Sequence, residues 1–300
     1  MTYLQELNEK FAIAESLAFI KQSNDFTYIT VSNQFADAKI CLHGAQIISY
    51  RPADQHEMLW LSPMSKYEQG KAIRGGIPVC FPWFGPHKKD EAKPQHGFAR
   101  LMNWQVAQTA VLPNGESFIR MELYSSTETK SYWPYDFIAE MIFTIGKILT
   151  VSLKITNTSR IQFDYSCALH SYFNISVIED ISIIGLQGSR YYKHDQPGDF
   201  IQESSKLKIG QVEDRHYYST NSTCILSDPK FKRRISIAKT GSQVTTVWNP
   251  GSANCFGMSD MPNEAYRRFV CIEAVNAFSD TICLTPGKSH ETSTIIGLIE

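Results

Sequence analysis

Apolar and polar residues alternate with a period of two along most of this chain. Leu149-Thr-Val151-Ser-Leu153-Lys-Ile155-Thr is a clean case, and such alternation predicts a strand with one buried and one wet face. The pattern recurs at Phe26–Thr30, Ile119–Leu123, Phe137–Phe143, Arg234–Ile237, Gln243–Trp248, Phe269–Ala274 and Thr281–Leu284. Turn formers separate these runs: Asn114-Gly115, Asp228-Pro229, Thr240-Gly241, Asn249-Pro250-Gly251 and Pro286-Gly287. Many short strands without long helical stretches predict an all-β sandwich or barrel. The exception is the start, where Leu4, Leu7 and Phe11 have helical spacing. A short helical extension is expected over residues 1–22. With no repeat or linker-like break, residues 1–300 are expected to form one domain.

The segment Lys71–Arg100 breaks the alternation. It holds four prolines (Pro78, Pro82, Pro86, Pro94) and four glycines, with Phe81, Trp83 and Phe84 among them. Proline forbids a regular helix there and interrupts any central strand. A loop this long inside a compact domain is usually functional, so it is a candidate wall of a binding site.

Composition narrows the reading. The 300 residues carry 29 Lys plus Arg and 30 Asp plus Glu, a net charge of −1, which lacks the basic footprint of a nucleic-acid binder. Between Lys71 and Arg100, however, six basic residues face two acidic ones, a local excess of +4. The first residues lack a secretory leader pattern, and no run approaches a membrane span. The seven cysteines are scattered and mostly in apolar runs, which reads as reduced, buried thiols in a cytoplasmic protein. Phosphate-loop, dinucleotide, zinc-hydrolase and nucleophile-elbow signatures are missing, and the histidines show no metal-ligand spacing, so no metal is expected.

Several polar residues sit in apolar settings. His170 lies in Cys167-Ala-Leu-His-Ser-Tyr-Phe-Asn174 and Glu273 in Phe269-Val-Cys-Ile-Glu-Ala-Val275. Charged groups are seldom buried without a partner or a task. From context alone His170 reads first as a hydrogen-bonded core or surface histidine, and Glu273 equally as a strand-face ion pair. Arg74 could brace its loop, Arg100 could face solvent, and Asp214 reads as ordinary polar loop.

Taken together these stretches resemble the hexose-6-phosphate mutarotases (glucose-6-phosphate 1-epimerases) of the aldose 1-epimerase, galactose mutarotase-like superfamily. The resemblance rests on Arg74-Gly-Gly-Ile-Pro-Val-Cys-Phe-Pro-Trp-Phe-Gly-Pro86, Gln95-His-Gly-Phe-Ala-Arg100, Ala168-Leu-His-Ser-Tyr-Phe-Asn174, Glu213-Asp-Arg215, Val247-Trp-Asn-Pro250, Cys271-Ile-Glu273 and Pro286-Gly287, in that order. It implies a β-supersandwich of antiparallel strands with an open groove, and cofactor-independent interconversion of the α and β anomers of a hexose 6-phosphate. By the same resemblance His170 is the general acid and Glu273 the general base. Arg74, Gln95, His96, Arg100 and Asp214 are implied to bind substrate, His96 by extension from the wider superfamily. The residue types suit the chemistry: opening a cyclic hemiacetal takes a proton from the anomeric hydroxyl and gives one to the ring oxygen. No carbon-bound hydrogen breaks, so neither nicotinamide nor metal is required. Trp83 or Phe81 would offer an apolar face to the sugar. The expected partner is a small sugar phosphate, with neither nucleic acid nor membrane, and a monomer is the expected state. The alternatives are a mutarotase for unphosphorylated aldoses and a non-catalytic carbohydrate-binding sandwich.

Overall fold

The computed structural model describes residues 1–22, 25–193 and 196–299. Antiparallel sheets dominate it. One eight-stranded sheet runs, in spatial order, through Ser182–Ile184, Cys224–Asp228, Arg233–Thr240, Ser289–Ile299, Ile148–Asn157, Phe137–Ile145, Ser117–Tyr124 and Gln105–Val111. The alternation read from the sequence is the burial pattern of these strands: Ile119, Met121 and Leu123 point inward between half-buried Phe118, Arg120 and Glu122.

The second eight-stranded sheet carries the site. Its order is Gln196–Ile201, Arg190–Lys193, Glu213–Tyr218, Val244–Asn249, Phe269–Asn276, Cys167–Leu169 and Val79–Cys80, with Tyr172–Asn174 also paired to Phe269–Asn276. Phe269–Asn276 is the longest of these strands, and all eight of its residues are buried. It lies inside the sheet, with one face on the core and the other flooring a groove. A charged residue on that strand is therefore withdrawn from water on every side.

At the N-terminus, Tyr3–Phe11 is a helix closed by a capping box, in which Thr2 Oγ1 accepts from Gln5 N and Gln5 Oε1 accepts from Thr2 N. Helix does not continue to residue 22 as expected. Leu17–Lys21 is a strand paired with Thr27–Ser32 in a four-stranded sheet. Leu17 and Phe19 bury while Ala18 stays exposed, a period of two that outweighs the helical start. All seven cysteines are free thiols, six buried and Cys283 exposed.

The segment 71–100 is largely irregular, with Val79–Cys80 on Leu169 and Ala168 and a 3-10 turn at Ala99–Leu101. Its path depends on close backbone contact. At Gly97, φ is +76°, and a Cβ there would stand 2.0 Å from the Phe81 carbonyl oxygen. Gly97→Ala is predicted to destabilise by at least the ~1–3 kcal/mol of a forced left-handed conformation, read as a lower denaturation midpoint. An unchanged midpoint would show that this loop does not need the contact.

Candidate active site

Two neighbouring rungs of the second sheet build the floor of the groove. Register places Tyr192 opposite His216, His216 opposite Thr246, and Thr246 opposite Glu273. Paired residues of antiparallel strands share a face, so these four side chains form one row. The next row is Asp214, Trp248, Cys271 and Tyr172. His170 occupies the break between Cys167–Leu169 and Tyr172–Asn174, held by its backbone N–H on the Pro78 carbonyl at 3.0 Å. That break aims the imidazole at the first row, with His170 Nε2 3.4 Å from Glu273 Oε1. The ring stacks on Tyr172 at 4.8 Å and meets Trp248 edge-on.

The loop 71–100 forms the opposite wall. All seven site residues named from the sequence (Arg74, Gln95, His96, Arg100, His170, Asp214 and Glu273) line one groove of about 430 Å³. Arg74 donates through Nε to Asp260 at 3.0 Å and through Nη1 to the Tyr172 hydroxyl at 2.9 Å. Arg100 Nη2 donates to the Gln95 carbonyl at 2.7 Å, and no described carboxylate lies within ion-pair distance of Arg100. His96 has φ of +63°, and its Nδ1 accepts from Gly85 N at 3.2 Å, which leaves Nε2–H free to donate. Gln95 is exposed at the rim.

Burial sets the proton positions. His170 is pushed down to about 3 by burial first, then by the fields of Arg100 and Arg74, so the imidazole is neutral. Glu273 is raised well above the usual carboxylate range by burial, with Asp214 adding to it. His96 is held well below its ordinary value by burial and the same arginines. Four buried polar atoms of the groove have no partner among the described residues: His170 Nδ1, Glu273 Oε2, Arg100 Nε and Tyr192 OH. An unpaired buried polar group costs about 1–3 kcal/mol, so this groove is strained toward binding a polyhydroxy, anionic ligand. His170, Cys271 and Glu273 also offer three possible metal-ligating atoms within 4.8 Å of one another. The two arginines set a field there that opposes a cation.

Sequence reasoning erred on the aromatic contacts. Phe81 is fully buried and Trp83 nearly so, both within the core; Phe84, Trp248 and Phe278 present rings to the groove instead. Asp214 lies in the strand Glu213–Tyr218, not in a loop. The sequence reading missed Tyr192, His216, Thr246 and Asp260. The i, i+2 spacing of Asp214 and His216 signalled a shared face; nothing local signalled Asp260, 186 residues from Arg74. A more open hollow of about 590 Å³ beside the first strand has no histidine, and its Asp37 is bonded to Arg51.

The aldose 1-epimerase family model matches residues 27–297. An Escherichia coli (strain K12) protein carrying the provisional name glucose-6-phosphate 1-epimerase is 34% identical over 269 residues, 89% of this chain and 89% of its own length. A Cenchrus ciliaris protein of the same provisional name is 30% identical, over 84% and 78%. The crystal structure of a Salmonella typhimurium protein, provisionally described as a mutarotase, matches with a TM-score of 0.89 at 30% identity, over 97% of this chain and 96% of that one. A galactose mutarotase related enzyme from Lactobacillus acidophilus, at 18% identity and a TM-score of 0.73 over 91% and 97%, shares the fold. Among the described residues no helix is long and apolar enough to cross a membrane.

The raised Glu273 has a consequence for stability. Below the unfolded-state value both states hold the proton and the group contributes nothing. Above it the unfolded chain releases the proton while the folded carboxyl keeps it, so stability falls as pH rises toward the folded value. Glu273→Gln, neutral at every pH, is predicted to melt higher than wild type at pH 7–8, with the difference closing toward pH 4. A lower melting temperature for the variant at pH 8 would contradict the burial argument.

Proposed function

The chain belongs to the aldose 1-epimerase family and is an isomerase, and from that premise we propose that it interconverts the α and β anomers of a hexose 6-phosphate. The observation that carries the substrate assignment is Arg100, a guanidinium in the groove wall with no carboxylate partner among the described residues. A phosphate is the anion that such a planar donor set suits, and a neutral sugar does not need it. The provisional names of the relatives point the same way.

The roles follow from where the protons are. Free His170 is a neutral imidazole because burial and two arginines disfavour its charge, and Glu273 holds a proton because burial disfavours its own. The pair thus carries one proton, on the carboxyl. A phosphate dianion between Arg74 and Arg100 offsets the field on His170, which favours the imidazolium–carboxylate form of the same pair. His170 then donates to the ring oxygen while Glu273 takes the anomeric hydroxyl proton. The bond from C1 to the ring oxygen breaks, and the anomeric carbon becomes an aldehyde. After rotation about C1–C2 both transfers reverse: Glu273 protonates the aldehyde oxygen, the attacking hydroxyl returns its proton to His170, and the pair ends as it began. His96 Nε2–H and Asp214 hold sugar hydroxyls, and Trp248 packs against the ring.

Polarimetry or a coupled assay on the pure α anomer of glucose 6-phosphate tests this reading. Wild type should speed equilibration. His170→Asn and Glu273→Gln should each lose about 10²–10⁴-fold in kcat while the sugar phosphate still binds. Retained kcat in both would overturn the acid–base pair.

Arg100→Ala is predicted to depress turnover of glucose 6-phosphate far more than that of glucose. Added inorganic phosphite should stimulate wild-type turnover of glucose but not that of the Arg100 variant. Equal losses on the two sugars would contradict the phosphate assignment.

A further inference from the structure

His216 lies outside the residues that the proton transfers use, yet it stands in the same row as Glu273. Its ring makes two directed contacts. Nε2 is 3.0 Å from Asp214 Oδ1, two residues back on the same strand, and Nδ1 is 2.8 Å from Thr246 Oγ1 on the adjacent strand. Thr246 is in turn the register partner of Glu273. The imidazole is 5% exposed and clamped between aromatic side chains: Tyr192 stacks on it at 4.8 Å, and Phe278 meets it at 4.9 Å. Phe278 does so from φ of +62°, a conformation that a bulky side chain adopts only when its surroundings over-determine it. An imidazole held by two hydrogen-bonding partners and two rings has one available orientation.

That orientation fixes a carboxylate. Asp214 is partly exposed to the groove, and its position relative to a sugar hydroxyl depends on what holds its other oxygen. With Nδ1 accepting from the Thr246 hydroxyl, Nε2 carries the proton and donates to Asp214. We propose that His216 is a positioning residue: through Nε2–H it orients the Asp214 carboxylate toward the substrate and shields Glu273 from that charge. The inference rests on the reading of Glu273 as the base. The titratable groups facing His216 are Asp214 on its own strand, Tyr192 on the neighbouring strand, Glu273 beyond Thr246, and His96 behind Phe84. Of these groups it is Asp214 whose field reaches Glu273.

The test compares His216→Phe, which preserves the aromatic packing, with His216→Gln, whose side-chain amide can still donate to Asp214. Steady-state rates on glucose 6-phosphate are measured from pH 5 to 9. For His216→Phe, KM should rise about tenfold, the scale of one lost hydrogen bond to a charged ligand group. The alkaline limb of kcat/KM should also move to higher pH, because an unshielded Asp214 makes Glu273 hold the shared proton longer. His216→Gln should restore both. In an Asp214→Asn background, His216→Phe should add no further change, since its route of action is gone. A purely structural role would lower the melting temperature and kcat without moving the limb, and that result overturns the proposal, as do an unchanged KM and limb or a failed Gln rescue. Wild-type turnover and the Glu273→Gln loss are read in the same assay, so failure of the base assignment is seen separately from failure of the His216 role.

Discussion

The structure is arranged around one costly feature, a carboxylic acid and an imidazole buried together beneath two guanidinium groups. Glu273 lies on a strand with no exposed residue, and His170 is brought to 3.4 Å from it by a break in the neighbouring strand. Neither group can carry charge cheaply in that position. Arg74 is kept in place by Asp260 and Tyr172, whereas Arg100 is braced by a single carbonyl. The free groove therefore holds one uncompensated cation and one proton waiting on the wrong partner. In the proposed mechanism a ligand with two negative charges relieves the first and releases the second, so binding and activation are the same electrostatic event.

Much of the fold was legible because period-two alternation is a direct image of a sheet with one buried face, as at Ile119–Leu123 and Leu149–Ile155. The proline-rich segment 71–100 lines the groove; its prolines limit its strand pairing to the two residues Val79–Cys80. What stayed hidden depends on register. That Tyr192, His216, Thr246 and Glu273 form one row follows from three strand pairings across more than 80 residues, and no local pattern encodes them. The aromatic error has the same origin: Phe81, Trp83 and Phe84 are equivalent by composition, and only the loop's path turns Phe84 to the groove while burying the other two. The seven named site residues were found because they sit in stretches that resemble a family, not because spacing alone revealed their meeting.

The local charge excess of the loop also takes a sharper form in three dimensions. Of its six basic side chains only Arg74 and Arg100 line the groove. Lys88 and Lys89 are exposed, and Lys93 caps the Tyr132 carbonyl near Trp83. Two guanidinium groups, not a basic surface, face the groove, as the proposed binding of a single phosphate on a small molecule requires. The other 270 residues sum to −5, so this local excess stands against an acidic background.

The central claim is that phosphate arrival moves the shared proton from Glu273 to His170. Nitrogen-15 NMR of the His170 imidazole at pH 7, with and without 1,5-anhydroglucitol 6-phosphate, tests it directly, because that sugar has the phosphate but no anomeric hydroxyl and cannot react. The account predicts a neutral imidazole in the free protein and an imidazolium in the complex, with 1,5-anhydroglucitol itself causing no such change. A neutral imidazole in both states, with the phosphate sugar demonstrably bound, would contradict it.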